Sequence, residues 1–278
     1  MQASASAVQD TGPAAERYSR FYTAVARAQL TAWLPRRPGL LVDISGPAAR
    51  AAEVARCAGH TVLRVMDPEA PPAPAGRHQP VGHQAGSHQP VGHPSGSHQS
   101  GSQQPAGHQP AGRLRAIAAD ASGLEFLADG CADGVIAEDR TLSRQLAAET
   151  LAGEIARVLR PGGSVLACVD SLTFGMAVLA EQHRWPHLVD VPNADVVLVP
   201  WPDGSITRCY GAEQLRELFT GSGLEVSWVR PRTVFSPQTV SYLLARNPGS
   251  FSQLVTAELS ARSDDSIGAQ LIISAKRR

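Results

Sequence analysis

The sequence carries no excess of charge of either sign, since 25 basic and 25 acidic side chains cancel over 278 residues. No global field therefore draws it toward nucleic acid, an anionic membrane or a strongly charged substrate, and a small-molecule partner is expected. Long hydrophobic runs are missing too. None approaches the ~18 residues of a bilayer-spanning helix, and the opening MQASASAVQD has neither a basic segment nor an apolar one of the kind that leads a secretory signal. These absences set the expectation of a soluble, cytoplasmic protein. Cysteine is sparse: Cys57, Cys131, Cys168 and Cys209 stand far apart without C-x-x-C spacing. That excludes the usual zinc and dithiol signatures and predicts buried or half-buried thiols, with no metal site.

What is present first is a repeat. Residues 78 to 112 divide into seven pentapeptides: HQPVG, HQAGS, HQPVG, HPSGS, HQSGS, QQPAG and HQPAG. Gly, Pro, Ser and Gln at this density offer little apolar area to offset the ~1–2 kcal/mol of backbone entropy lost per ordered residue. With Pro71, Pro72 and Pro74 leading in, 71–112 reads as a disordered insertion. Its histidines (His78, His83, His88, His93, His98 and His108) suit loose binding of Zn²⁺ or Ni²⁺. A chain without fixed geometry makes repeat slippage without function the stronger reading.

Around the insertion, helical and strand patterns alternate. Residues 14 to 34 place Tyr18, Phe21, Tyr22, Val25, Leu30 and Leu34 near helical spacing, and Pro35 ends the run. LLVDI (40–44) reads as a buried strand, the Ala-rich 48–58 as a helix stopped by Gly59, and HTVLRVMD (60–67) as a second strand. LRAIAAD (114–120) and DGVIAE (133–138) fit strands buried in a parallel sheet. Leu146, Leu151, Ile155 and Val158 give one helix between Leu142 and Leu159, broken by Pro161-Gly162-Gly163 before the strand SVLACVD (164–170). A helix near 172–184, a hairpin turning at Pro202-Asp203-Gly204, helices near 211–221 and 237–246, and strands at 224–230 and 269–276 complete the pattern. The expected fold is α/β: a Rossmann-like, doubly wound, mostly parallel seven-stranded sheet with helices on both faces. Residues 1–36 form a helical N-terminal cover, and 37–278 form the domain that the repeat interrupts.

In such a sheet the ligand lies outside the carboxyl ends of the strands, where the winding reverses. Asp43, Asp67 and Asp120 stand at those ends, and carboxylates there suit a ligand carrying ribose hydroxyls and an amino group. Asp43 and Asp67 are 24 residues apart. Asp67 and Asp120 are 53 apart, or 18 once the 35-residue repeat is set aside.

EIARVLRPGGSVLACVD (154–170) is similar to the turn and fifth strand of class I S-adenosylmethionine-dependent methyltransferases, the small-molecule type related to ubiquinone and menaquinone methylation enzymes. LLVDI, GHTVLRVMD, AIAADA (116–121), FLADGCADGVIAE (126–138) and YGAEQLRELFTGSGLEVSWVR (210–230) extend the resemblance across 40–276, apart from the repeat. It implies S-adenosyl-L-methionine as cofactor, methyl transfer to a small-molecule acceptor, and cofactor contacts at Asp43, Ser45, Gly46, Asp67 and Asp120. It also implies that His183, Trp185, His187 and Tyr210 lie in the segment covering the acceptor, where a His or Tyr can act as base and each singly fits packing better. Glu138 and Asp139 would lie near adenine or acceptor. No catalytic residue is assigned. One departure stands out: the family's D-h-G-x-G-x-G loop is here Asp43-Ile44-Ser45-Gly46-Pro47-Ala48-Ala49, with all three glycines replaced. Pro47 fixes φ and removes a donor, while Gly46 can shift the turn by one residue. That loop supports the alternative of a non-catalytic binding or regulatory protein on the same fold.

Overall fold

The computed structural model describes residues 12–46, 50–66, 112–119, 123–191, 197–261 and 267–278. The chain begins with α1 (Pro13–Trp33), whose Pro13 sits in the first turn, where a missing N–H has no cost. There follow β1 (Leu40–Asp43), α2 (Arg50–Cys57), β2 (Thr61–Met66), β3 (Leu114–Ala118) and β4 (Ala132–Ala137). Next come α3 (Thr141–Arg144), α4 (Ala148–Val158), β5 (Leu159–Asp170), α5 (Leu172–Glu181) and α6 (Trp185–Asp190). The last third holds β6 (Val197–Pro200), β7 (Ile206–Cys209), α7 (Ala212–Gly221), β8 (Leu224–Arg232), α8 (Pro237–Arg246), α9 (Phe251–Leu259) and β9 (Gln270–Arg277).

Seven strands form one sheet in the order β3-β2-β1-β4-β5-β9-β8. The first five are parallel, while β9 runs antiparallel to both β5 and β8. Strand alternation sorts the side chains onto two faces. Val42, Val135, Val165 and Ile273 pack with Leu151 and Ile155 of α4 and Leu215 and Phe219 of α7. Leu41, Ile136, Leu166 and Ile272 face the other way, onto Leu30 of α1 and Ala51, Ala52 and Ala55 of α2. An eight-residue helix such as α2 is too short to persist alone, so this alanine contact is what holds it. Beyond the sheet, Tyr18, Phe21 and Val25 of α1 meet Val240 and Leu244 of α8 and Leu254 of α9.

Several sequence expectations need correction. The single helix expected between Leu142 and Leu159 is two. The chain leaves α3 at Gln145 in an extended conformation and re-enters helix after Ala147, leaving Leu146 exposed. The break has a cause: Thr141 and Ser143 tie α3 to the sheet's edge through Ile44 O and Asp170 N–H, while α4 lies across the apolar face. β3 is not buried; all five of its residues are exposed, because it is the edge strand and among the described residues pairs with β2 alone. Pro161-Gly162-Gly163 does not separate helix from strand. β5 starts at Leu159, and Gly162 at φ +83° forms an irregularity within it, seen as a register shift against Ala132 and Gly134. The 202–204 hairpin forms a separate two-stranded sheet, and α6 and α9 were not anticipated. Cys168 and Cys209 are buried and Cys131 is half-buried as expected, but Cys57 is exposed at the end of α2.

Candidate functional site

Following the apolar row on the α1/α2 face toward the carboxyl edge of the sheet, the next residue on nearly every strand is polar. Val62, Leu41, Ile136 and Cys168 give way two residues later to Arg64, Asp43, Glu138 and Asp170. The antiparallel β9 and β8 contribute Gln270 and Arg232. Register places Asp43 beside Arg64, Asp170 beside Gln270, and Gln270 beside Arg232. A band of ionisable groups thus crosses the sheet where β1 and β4 lie side by side and the winding reverses, the position at which doubly wound sheets bind ligands.

Most of the band is internally paired. Arg232, fully buried, gives Glu138 two hydrogen bonds of 2.5 and 2.9 Å, a third of 2.8 Å to Gln29 Oε1 and a longer one of 3.4 Å to the Tyr22 hydroxyl. Tyr22 in turn donates to Gln270 at 3.0 Å. Buried Arg140 reaches Asp170 at 3.3 and 3.5 Å, and Arg144 donates to the Asp139 carbonyl. Asp139 and Arg140 both have left-handed backbones, φ 55° and 62°. Such conformations are costly for residues other than glycine and mark a loop held by its surroundings.

Asp43 differs from its neighbours. Its Oδ1 accepts the Ser45 N–H at 3.0 Å, while its Oδ2 is buried and has no hydrogen-bond partner among the described residues. Burial, against the opposing effects of the Ser45 hydrogen bonds and Arg64, pushes its carboxyl up to about 6. An unpaired buried acceptor costs about 1–3 kcal/mol, so this oxygen is poised for a donor from a ligand. Asp139 and Asp170 are also raised, each by burial first.

The other expected residues divide. Ser45 is buried, and its hydroxyl accepts the Glu138 N–H at 2.9 Å and faces the Ile136 carbonyl at 3.5 Å, so it ties the loop after β1 to the end of β4. Gly46 adopts φ +81° with open space where a Cβ would stand, and its carbonyl accepts from Arg64 at 2.8 Å. Asp67, Asp120 and Pro47 to Ala49 lie outside the described residues. Glu138 is engaged by Arg232. His183, just before α6, and Trp185 and His187 on α6 are exposed. Tyr210 is buried with its hydroxyl 3.4 Å from Leu142 O, and burial raises its pKa, an environment that suits packing.

Arg64, Arg140, Arg144, Asp170 and Arg232 escaped the sequence reading. Arg64 and Asp170 did leave a signal, a lone charge within or closing an apolar strand. Nothing local marks Arg232, whose partner is 94 residues away. Among the described residues no group of three metal-ligating side chains occurs, and no helix is long and apolar enough to cross a membrane. A groove of about 490 Å³ lies between α4 and α7, lined by Glu149, Gly153, Arg208 and Glu217, but its Arg208–Glu149 pair at 2.7 Å already joins its charges.

No protein-family model and no curated protein sequence matches the chain. Solved structures do. A methyltransferase dependent on S-adenosylmethionine from Thermotoga maritima superposes with a TM-score of 0.51 at 15% identity, over 94% of this chain and 91% of that one. A second, from Methanosarcina mazei, gives 0.52 at 13% over 90% and 96%. A third, from Mesorhizobium loti, gives 0.50 at 13% over 91% and 98%. The chain has the class I methyltransferase fold. The described residues at the β1/β4 switch point are compatible with an S-adenosylmethionine: Asp43 Oδ2 is an open acceptor that an amino group or a hydroxyl could fill, and the space where a Gly46 Cβ would stand is open.

Proposed function

We propose that this protein transfers a methyl group from S-adenosylmethionine to a small-molecule acceptor. The observation that carries the reading is the unpartnered, buried Oδ2 of Asp43 at the point where the winding of a methyltransferase-fold sheet reverses. When bound, the cofactor supplies an electrophilic methyl on a sulfonium. The protein's part is alignment and exclusion of water, which require neither a covalent nucleophile nor a metal. Asp43 and the turn at Ser45 and Gly46 would hold the amino-acid end, and Asp67 and Asp120 the nucleoside end. The Glu138–Arg232 pair braces the end of β4 beside the Ser45 turn. Neutral composition fits a small acceptor better than a nucleic acid.

Calorimetric titration with S-adenosylmethionine and S-adenosylhomocysteine tests the reading. Saturable binding of both is expected, and no heat at millimolar ligand would refute it. The loop at 45–49 favours a second reading, a non-catalytic protein that keeps the fold. Its signature is binding of S-adenosylmethionine without release of the demethylated product in the presence of any acceptor. The double change Pro47→Gly, Ala49→Gly separates the two. A loop already rebuilt around Gly46 loses roughly 0.4–1 kcal/mol at each new glycine, whereas a blocked loop gains affinity.

A further inference from the structure

The band contains donors that its own carboxylates leave unused. Arg140 Nη2 and Arg144 Nε are both buried and lack hydrogen-bond partners among the described residues. They belong to the segment that follows β4, on the side of the switch point away from Asp43 and β2. Arg140 is fixed by Asp170 and Arg144 by the Asp139 carbonyl, so each guanidinium is held by some of its N–H groups while another stays open. Buried guanidinium donors without acceptors are costly. The Asp170 carboxylate does not complete them: it meets Arg140 only at 3.3–3.5 Å, long for a charged pair. Burial and then the neighbouring Arg140 lower the pKa of Arg144, the mark of a cation short of compensating negative charge. Asp139, the nearest further acid, is itself buried and faces both guanidinium ions, yet neither Arg140 Nη2 nor Arg144 Nε has it as a hydrogen-bond partner, and Glu138 is fully engaged by Arg232.

We infer that Arg140 and Arg144 together receive a carboxylate, and that this carboxylate belongs to the acceptor, making the substrate class a small organic acid. The inference rests on the methyltransferase reading for the word acceptor, but the anion site stands on its own donors. Two open N–H groups on guanidinium ions close enough to repel each other suit an anion with two acceptor oxygens, such as a carboxylate, and desolvated charged hydrogen bonds of this kind discriminate strongly against an uncharged analogue. Asp43, on the other side of the switch point, takes a donor and not an anion, so the two halves of the band sort the cofactor's amino end from an acid.

The test uses benzoate and its neutral isostere benzamide as probes, with thermal unfolding of the full chain read against probe concentration at constant ionic strength, because a ligand bound only to the folded state raises the midpoint saturably. Benzoate is expected to stabilise the protein saturably and benzamide not to. Arg144→Gln should weaken the benzoate response roughly ten- to a hundredfold, as for loss of a hydrogen bond to a charged group. The paired change Arg140→Gln, Asp170→Asn should do the same without leaving one buried charge alone. Repeating the titration with saturating S-adenosylhomocysteine separates the two sources of a carboxylate. A response that persists supports the acceptor, whereas its loss would make this the seat of the cofactor's own carboxylate and overturn the assignment. No saturable benzoate response in the parent, or an equal response in both variants, would also overturn it. If S-adenosylhomocysteine fails to bind, the methyltransferase reading falls while the benzoate response of the free protein still decides the anion site.

Discussion

Glu138 and Arg232, at opposite ends of the 94-residue separation between β4 and β8, form a bidentate ion pair with the guanidinium fully buried. It joins the middle of the band, at the end of β4, to its far end at Arg232 on β8. Removing one partner leaves a buried charge uncompensated, which typically costs about 3–5 kcal/mol. Glu138→Gln and Arg232→Met should each lower the unfolding free energy by that order, seen as a lower urea midpoint. The double variant should recover much of the loss, since it buries no unpaired charge. Urea unfolding of the three proteins checks this, and additive losses would show that the pair does not act as a unit.

Asp43 makes stability depend on pH in a direction opposite to that of a salt-bridged acid. Its carboxyl is raised from 3.8 to about 6, chiefly by burial. Folding therefore favours the protonated form. The stability it contributes is complete below pH 3.8 and is lost as pH rises through 6, where the ionised form costs roughly 3 kcal/mol. Asp43→Asn should unfold at higher urea than the parent at pH 8, with the difference shrinking toward pH 4. An asparagine variant less stable than the parent at pH 8 would show that the folded protein favours the charge.

The repeat should be removable up to, but not including, its last glycine. Gly112 donates its N–H to Arg56 O at 3.0 Å, and a Cβ there would meet the His60 carbonyl at 1.8 Å. Deletion of residues 78 to 111 should leave the melting temperature within a few degrees, since loop length changes closure entropy by only ~0.6 kcal/mol per doubling. Gly112→Val in the full chain should lower it distinctly. Calorimetric melting of both proteins distinguishes a dispensable segment from a structural one.

Much of the architecture was legible because apolar strands ending in acids alternate with helices, and that pattern specifies a doubly wound sheet. The place of Asp43 at the end of β1 was legible for the same reason. What the sequence hides is which layer covers a strand and which charge meets which. LRAIA reads as strand whether or not a helix lies over it, so the exposure of β3 leaves no trace in its composition. No Pro or Gly announces the break at Gln145 to Ala147, because it is set by the hydrogen bonds that Thr141 donates to Ile44 O and Ser143 accepts from the Asp170 N–H, residues far away in the chain. Arg232 looks like one arginine among many until β8 runs back beside β9 and carries it to Glu138.

Asp43 Oδ2 is the acceptor proposed to receive the cofactor, and the affinity of S-adenosylhomocysteine for the parent, Asp43→Ala and Asp67→Ala measures this directly. Both variants should bind more weakly by roughly 1.5–3 kcal/mol, about ten- to a hundredfold, the scale of a hydrogen bond to a charged group. Circular dichroism and cooperative unfolding should confirm that each variant retains its fold. Equal affinity in the folded Asp43→Ala protein and the parent would contradict the assignment of the site.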